Sequence, residues 1–291
     1  MTRKDFLKYT SLLTLGASTM TLQSLNRIAK SFENSPKMPV LFIGHGNPMN
    51  AITDNKFKAA WIEITKTFPK PNAILCISAH WLTDGTFVTM MSKPKTIHDF
   101  GGFPNELYQQ QYPAPGAVEY ASMSIENINK VNIQHDFDWG FDHGTWCVLK
   151  PMYPEATIPV FQLSLDYGKS TQYHYELGQQ LSFLRTKGVL IIASGNVVHN
   201  LGMMSFADNV KPFDWAVEFD TYVKENIDTQ NDKNIIEYTK LGTVAKKAHP
   251  TNDHYLPLLY AIALREKDEK HIYFNDSFDL ASMSMRCVKI G

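Results

Sequence analysis

The fold can be inferred from one stretch, Val40-Leu41-Phe42-Ile43-Gly44-His45-Gly46-Asn47-Pro48, in which an apolar run ends abruptly at a histidine between two glycines. Such a run is typical of a strand that is buried on both faces, as in a parallel sheet covered by helices. His45 then lies where the strand ends. Gly44 and Gly46 allow the backbone to turn sharply there, and they leave room for a ligand to approach the imidazole.

Two further apolar runs repeat this arrangement of a strand followed by a histidine. Residues 73–78 lead into His80, and residues 188–193 lead through Ser194-Gly195-Asn196 into His199. Because open α/β sheets bind ligands along the carboxyl ends of their strands, we expect these histidines to converge. The sequence therefore predicts a single α/β domain with a mostly parallel central sheet flanked by helices, and a metal site at the strand carboxyl ends.

The composition is that of an ordinary globular domain. Of the 291 residues, 44% are hydrophobic and 20% are charged. Because 28 basic residues face 29 acidic ones, charge gives no reason to expect nucleic acid or an anionic membrane as partner. The three cysteines form no Cys-x-x-Cys motif, so we interpret them as packed thiols. No apolar run approaches the ~20 residues that span a bilayer.

Residues 1–36 are predicted to be a leader, and residues 37–291 the catalytic domain. Thr2-Arg3-Lys4-Asp5-Phe6-Leu7-Lys8 precedes a weakly apolar stretch over 9–22, and the whole resembles a twin-arginine export signal in which lysine replaces the second arginine. This favours a periplasmic protein. The alternative is an amphipathic leader helix on a cytoplasmic protein. The sequence leaves the oligomeric state open.

The rest of the chain is expected to alternate strands and helices around the sheet, so that the first two histidine-bearing strands form a parallel βαβ unit. A long aromatic loop over 92–116 is interpreted as a lid or pocket wall. The predicted elements are a helix over 53–68, a strand over 86–91, a helix over 117–130, a strand from Val131, a helix starting near His143, a strand over 158–163, helices over 171–186, 213–225 and near Ile235, a helix over 253–265 with His254 in its first turn, and edge strands over 272–274 and 282–288.

His45, His80 and His254 are the candidate ligands of one metal ion, with His199 as a fourth ligand or a proton carrier. Neutral imidazole suits Zn and Fe(II), and three protein ligands with open positions are typical of a catalytic site. Any one of these histidines alone is more easily explained as a core or helix-capping residue. Three strand-end placements together with His249-Pro250-Thr251-Asn252-Asp253-His254 favour metal binding by the set.

Two aspartates stand beside candidate histidines in the sequence. Asp142 precedes His143, and Asp253 precedes His254. Each carboxylate is a candidate to orient an imidazole through its second nitrogen. Adjacent side chains seldom face the same way, which weakens this interpretation.

Six motifs in order from about Met38 to the carboxyl terminus resemble the 4,5-DOPA extradiol dioxygenase branch of the class III extradiol ring-cleavage enzymes. They lie at 44–48, 78–81, 98–104, 142–146, 195–201 and 249–257. The resemblance implies the α/β fold of that family and carries its metal residues over to His45, His80, His254 and His199. The wider class binds Fe(II) through two histidines and a carboxylate, whereas this branch has histidine in place of the carboxylate, so either Fe(II) or Zn is implied.

The reaction that this resemblance implies is the opening of a catechol such as DOPA beside its two hydroxyls, with both atoms of O2 incorporated. His199 is the first candidate for the base that the reaction needs, and His143 is the second. A flat aromatic substrate would be walled by aromatic side chains and histidines. The predicted substrate-binding residues are Trp81, His98, Phe100, Phe103 and His249, with Tyr112 beside them.

Two other functions fit the same residues. A zinc hydrolase would use the metal to activate water instead of O2, and an exported metal-binding protein would hold the ion without turnover. An open ligand position beside an aromatic loop argues against the second alternative. The particular catechol stays open, since no arginine or lysine in the sequence can be assigned to an amino-acid carboxylate.

Overall fold

The computed structural model describes residues 35–207 and 209–291. The predicted leader over 1–36 lies outside these residues except for Ser35 and Pro36. Among the described residues, no helix has the length and apolar character needed to cross a membrane.

A six-stranded sheet forms the centre of the molecule, in the order β6-β2-β8-β1-β12-β9. The strands of the described chain are β1 (Val40–Gly44), β2 (Ala73–Ser78), β3 (Leu82–Thr83), β4 (Thr86–Thr89), β5 (Ile133–Asp136), β6 (Val160–Gln162), β7 (Leu165–Asp166), β8 (Val189–Gly195), β9 (His271–Phe274), β10 (Phe278–Asp279), β11 (Met283–Ser284) and β12 (Cys287–Ile290). β6, β2, β8 and β1 are mutually parallel, and β12 and β9 continue the sheet antiparallel. The prediction of a mostly parallel sheet is confirmed.

The register of the three middle strands brings their carboxyl ends level. Gly44 of β1 pairs with Gly195 of β8, and Ser78 of β2 pairs with Ser194. The two strands that precede His45 and His80 are parallel as predicted, with β8 between them. All three histidine-bearing strands therefore end on one edge of the sheet.

Helices cover both faces of the sheet. They are α1 (Lys56–Ile64), α2 (Asn105–Tyr108), α3 (Val118–Asn127), α4 (His143–Met152), α5 (Thr171–Gln180), α6 (Asp214–Asp228), α7 (Asp232–Ile236), α8 (Thr243–Ala248) and α9 (Leu256–Ala263). Because side chains alternate along a strand, Val40 and Phe42 of β1 join one hydrophobic cluster, whereas Leu41 and Ile43 join the other. All five residues of β1 are buried, which explains the uninterrupted apolar run.

The helix predicted over 253–265 is wrong at its start. The helix begins at Leu256, and His254 lies in the turn that precedes it. Pro257 accounts for the difference: it has no N–H to donate to the carbonyl of Asp253, so it fits only the first turn of a helix. Most of the other predicted helices and strands are present with bounds that differ by a few residues. The edge strand predicted over 282–288 is two strands, β11 and β12, and β12 lies inside the sheet between β1 and β9. The helix predicted over 171–186 ends at Gln180, and a 3-10 helix continues over Ser182–Lys187.

The aromatic loop over 92–116 packs against the amino end of α4. The N–H of Ile97 donates to Phe141 O at 2.8 Å, and the indole N–H of Trp146 donates to Ile97 O at 2.9 Å. The loop therefore has a defined path beside the strand carboxyl ends. Cys76, Cys147 and Cys287 are buried free thiols, as predicted.

Candidate metal centre

Three imidazoles converge at the carboxyl edge of the sheet. Ring centroids lie 5.0 Å apart for His45 and His80, 5.2 Å apart for His45 and His254, and 4.9 Å apart for His80 and His254. The Nε2 atoms of His45 and His80 are separated by 3.1 Å, and one nitrogen from each of the three rings lies within 4.8 Å of the others. These residues come from three separate segments that only the sheet brings together.

The end of β1 and the hydroxyl of Ser194 hold His45. The backbone N–H of His45 donates to Gly195 O at 3.0 Å, and the ring nitrogen Nδ1 lies 3.0 Å from Ser194 Oγ. Ser194 donates its only hydroxyl hydrogen to Gly144 O at 2.6 Å, so its oxygen must accept from His45 Nδ1–H. This fixes the tautomer and leaves the Nε2 lone pair of His45 free.

The turn before α9 positions His254. Its carbonyl accepts a hydrogen bond from Asn196 N at 2.9 Å, and its Nδ1 is hydrogen-bonded to the carboxylate of Asp253. A Cβ on Gly195 would lie 2.2 Å from His254 O, so only glycine permits this approach. Because Nδ1 is engaged by a carboxylate, Nε2 of His254 is the atom available to an ion.

His80 follows β2 and turns through a hydrogen bond from its N–H to Ser78 Oγ at 3.2 Å. Its Nε2 faces His45, while its Nδ1 lies 3.5 Å from Asp99 Oδ2. The space beside Gly46, which we expected to admit a ligand, is taken by Met285, whose Sδ would lie 2.4 Å from an added Cβ. Glycine is therefore needed at position 46 for the turn, because its φ there is +57°.

The electrostatics keep the three imidazoles neutral. Burial and the neighbouring histidines hold the pKa of His45 and of His254 well below the ordinary value. Burial, together with His143, lowers the pKa of His80 to about 3. A histidine that binds a metal must have a neutral imidazole, so that one ring nitrogen keeps its lone pair. Two nitrogens about 2.1 Å from one ion are roughly 3 Å apart at a right angle, which the 3.1 Å separation of the Nε2 atoms matches. This donor set fits a first-row ion.

His199 lies against the cluster in a different way. Its ring stacks on that of His254, with centroids 3.5 Å apart and planes 5° apart, and its N–H donates to Ala248 O at 2.9 Å. His199, Asp253 and His254 form a second group whose side chains could hold an ion, and this group shares His254 with the three-histidine group. Whether His199 is a fourth ligand or a proton carrier stays a prediction. Burial lowers the pKa of His199 to about 4.

His143 also reaches the cluster, and Asp99 holds it. The ring of His143 lies 3.7 Å from that of His80, centroid to centroid. The N–H of His143 donates to Asp99 Oδ1 at 2.8 Å, and Nδ1 lies 2.9 Å from Asp99 Oδ2. Burial would raise the pKa of the Asp99 carboxyl, but the hydrogen bonds from His143 outweigh it and lower that pKa.

Asp142 does not orient an imidazole, contrary to the prediction from its place beside His143. Its carboxylate accepts hydrogen bonds from Ser78 Oγ at 2.6 Å and Gln162 Nε2 at 2.7 Å. It also caps α4 by accepting from Thr145 N at 3.0 Å. Burial raises the pKa of this carboxyl. Asp253 does bind its neighbour His254, as predicted.

The predicted aromatic wall divides into a part that reaches the site and a part that supports it. Phe100 packs edge-on against His143 at 5.6 Å and against Phe103 at 5.4 Å. Trp81 is 2% exposed and stacks on Trp139. Tyr112, 1% exposed, donates its hydroxyl hydrogen to the carbonyl of Tyr153 at 3.2 Å.

The two remaining predicted substrate-binding residues are histidines with other partners. His98 places its Nε2 3.0 Å from Gln110 O, and its ring lies 5.8 Å from that of Phe100. His249 places its Nε2 2.7 Å from Val197 O, and its ring packs against Tyr255 at 5.1 Å. These contacts favour a supporting role for His249, and its binding of substrate stays a prediction.

Two residues at the site escaped the sequence analysis. Asp99 stood in one of the quoted motifs, but its contact with His143 spans 44 residues, and no spacing rule predicts such a contact. Ser194 follows an apolar run at a predicted strand end, and a hydroxyl at that place could have indicated a hydrogen bond to a histidine of the site. Both residues hold a nitrogen of an imidazole in the cluster.

Comparison with known proteins gives consistent matches over most of the chain. A family model described as the catalytic LigB subunit of aromatic ring-opening dioxygenase matches residues 36–284. The 4,5-DOPA dioxygenase extradiol of Escherichia coli K12 is 43% identical over 264 residues, covering 89% of this chain and 96% of that protein. The protein of the same name from Beta vulgaris is 40% identical over 254 residues, covering 84% and 92%. The crystal structure of an uncharacterized protein from Escherichia coli K12 matches with a TM-score of 0.78 at 39% identity, covering 88% of this chain and 100% of that one.

Proposed function

The chain belongs to the family of the catalytic LigB subunit of aromatic ring-opening dioxygenases, and from this membership we propose that it opens the ring of a catechol such as DOPA with Fe(II) held by His45, His80 and His254. It is an oxidoreductase of the extradiol type. In the proposed reaction the ring bond beside one hydroxyl-bearing carbon breaks, and both atoms of O2 enter the product as parts of an aldehyde and a carboxylic acid.

The single observation that carries this proposal is the convergence of three neutral imidazoles on one point. One nitrogen from each ring lies within 4.8 Å of the other two. His45 and His80 follow strands that end on the same edge of the sheet, and His254 lies in the turn before α9. An ion held by these three residues would bind the catechol oxygens and O2 and would supply the electron transfer that O2 needs. Ser194 and Asp253 hold two of the rings with their Nε2 lone pairs available.

His199 is the proposed base. A catechol hydroxyl has a pKa of about 10, so it must lose a proton to a neighbouring group during the reaction. His199 lies beside the ligand His254, and burial keeps it neutral at pH 7 by lowering its pKa to about 4. A neutral imidazole can accept that proton and later return it.

His143 and Phe100 are proposed to face the substrate from the other side. His143 presents its ring next to His80, and the ring of Phe100 packs edge-on against His143. A flat aromatic substrate would lie against Phe100 and Phe103, which also exclude water from the reacting ring.

The experiment that tests this proposal uses anaerobically purified protein loaded separately with Fe(II) and with Zn. We expect O2 consumption and a visible-absorbing ring-opened product with L-DOPA in the Fe(II) form alone. Activity with another catechol and none with L-DOPA would keep the reaction and change the substrate. No O2 uptake over a panel of catechols in either form would overturn the proposal, and it would favour a zinc hydrolase, which the all-nitrogen donor set also suits.

A further inference from the structure

Both oxygens of the Asp99 carboxylate contact His143. Oδ1 accepts a hydrogen bond from the backbone N–H of His143 at 2.8 Å, and Oδ2 lies 2.9 Å from the ring nitrogen Nδ1. The side chain of Asp99 is 18% exposed, so it is partly shielded from water although the residue as a whole is exposed. The contact joins the aromatic loop over 92–116 to the first residue of α4.

The contact between Asp99 Oδ2 and Nδ1 determines the tautomer of His143. A carboxylate only accepts hydrogen bonds, so Nδ1 of His143 must carry a hydrogen, and in the neutral ring the lone pair is then on Nε2. The ring is held 3.7 Å from His80 and 5.6 Å from His45, centroid to centroid. The free Nε2 therefore belongs to a ring fixed beside the candidate metal ligands.

The other carboxylate near His143 cannot take over this role. Asp142 precedes His143 directly, but both of its oxygens are committed, one to Ser78 and one to Gln162. Phe100 follows Asp99 in the chain and packs edge-on against His143. The orientation of His143 and the position of the aromatic wall consequently depend on the same carboxylate.

We propose that Asp99 is a positioning residue for ring cleavage: it holds His143 in the tautomer whose Nε2 takes the second hydroxyl proton of the catechol, on the side opposite His199, and returns it to the product. The inference rests on the proposed function. The catalytic triad of hydrolases is an analogy, since there too a carboxylate sets the tautomer of a histidine that moves protons.

The decisive variant is Asp99→Asn. The backbone N–H of His143 requires an acceptor, so the side-chain amide oxygen of the variant must face that backbone N–H. Its NH2 group must then face the ring nitrogen Nδ1 of His143. An NH2 group donates, so Nδ1 becomes the acceptor and the hydrogen moves to Nε2. Loss of general acid–base catalysis costs about 100-fold or more. We expect kcat to fall by that factor, whereas KM for the catechol and the bound Fe(II) stay within about twofold.

Two further variants separate positioning from a structural role. Asp99→Glu restores an acceptor-only group and should recover part of kcat. In a His143→Ala background, Asp99→Asn should cause at most a small further loss of kcat, because the hydrogen bonds to His143 are gone and only the 3.5 Å approach of Asp99 Oδ2 to His80 Nδ1 remains. An additive loss in that background would overturn the proposal. Asp138→Asn, which changes an exposed carboxylate of the neighbouring loop, is the matched control and should leave kcat unchanged.

A spectroscopic measurement tests the tautomer without relying on activity. In metal-free protein labelled with 15N histidine, NMR should show His143 protonated at Nδ1 in the parent and at Nε2 in Asp99→Asn. An unchanged tautomer would overturn the proposal whatever the kinetics. A parent protein that opens no catechol ring would overturn the proposed function instead, and the NMR result would still decide whether Asp99 sets the tautomer.

Discussion

His199 and His254 lie face to face, with ring centroids 3.5 Å apart and ring planes 5° apart. The lone pair of an imidazole nitrogen lies in the plane of its ring, so the two rings direct their lone pairs along nearly parallel planes. This favours His199 as a proton carrier, and its role as a fourth ligand stays a prediction that metal content can test. His254 is the member of the pair whose nitrogen joins those of His45 and His80.

Replacing His199 should separate metal binding from turnover. We expect His199→Ala to keep about one ion per chain and to lose about 100-fold or more in kcat, the usual contribution of a general base. His80→Ala should lose the ion, because one of three ligands is gone. Metal content after desalting and O2 uptake measure the two effects. If His199→Ala lost its metal as completely as His80→Ala, His199 would have to be counted as a ligand.

Ser194→Ala should weaken metal binding without touching a ligand. The change leaves His45 Nδ1–H without its acceptor and Gly144 O without its donor, so the tautomer of His45 is no longer held. Loss of such an orienting hydrogen bond typically weakens metal affinity by about 10- to 100-fold. Competition between the protein and a chelator for Zn measures this directly. The control is Ser182→Ala, an exposed serine, and an equal affinity in both variants would contradict the prediction.

Gly195→Ala should displace the turn that carries His254. The added Cβ would lie 2.2 Å from His254 O, so either the end of β8 or the turn must move. Such overpacking costs about 2 kcal/mol in free energy of unfolding, and the shifted His254 should release the ion. Chemical denaturation and metal content report the two effects. Gly168→Ala has its nearest neighbour at 3.5 Å and should change neither; a stable, metal-bound Gly195→Ala would show that the turn can adapt.

Much of the fold could be predicted because burial on both faces leaves a simple signal. Strands β1, β2 and β8 are uninterrupted apolar runs, and each ends close to a histidine. The order of the strands could not be predicted, since nothing local in the sequence places β8 between β1 and β2. The start of α9 was missed because Thr251 and Asp253 look like helix-start residues, whereas Pro257 determines where the first turn lies.

The candidate site, like the fold, could be predicted from the sequence only in part. His45 and His80 could be proposed as ligands because strand ends in a parallel sheet meet at one edge, and His254 because it ends the motif over 249–254. Of the hydrogen-bond partners of the histidines at the site, only Asp253 beside His254 could be predicted from a neighbouring position. Asp142 is adjacent to His143 but binds Ser78, whereas Asp99, 44 residues away, binds His143. Contacts of this kind depend on where loops cross, which the periodicity of a sequence does not encode.

Far from the site, a buried ion pair makes stability depend on pH. Arg185, 1% exposed, donates to Glu269 at 2.8 Å and 2.6 Å. Burial would raise the pKa of the Glu269 carboxyl, but its hydrogen bonds, first those from Arg185, lower that pKa from 4.5 to about 2. A carboxyl with a lowered pKa stabilises the fold above its ordinary pKa, and the contribution is lost as the pH falls through about 2.

Glu269→Gln should therefore cost stability at neutral pH and progressively less in acid. At pH 7 the variant leaves the buried guanidinium of Arg185 without its counter-charge, a loss of about 2 kcal/mol in free energy of unfolding. As the pH falls from 4.5 towards 2, the parent takes up the proton that neutralises Glu269, and the difference should shrink. Urea denaturation in steps down to the lowest pH at which the parent stays folded measures it. Asp268→Asn, an exposed neighbour, should stay within about 0.5 kcal/mol of the parent. A constant difference between Glu269→Gln and the parent would mean that the charge of Glu269 does not contribute to folding.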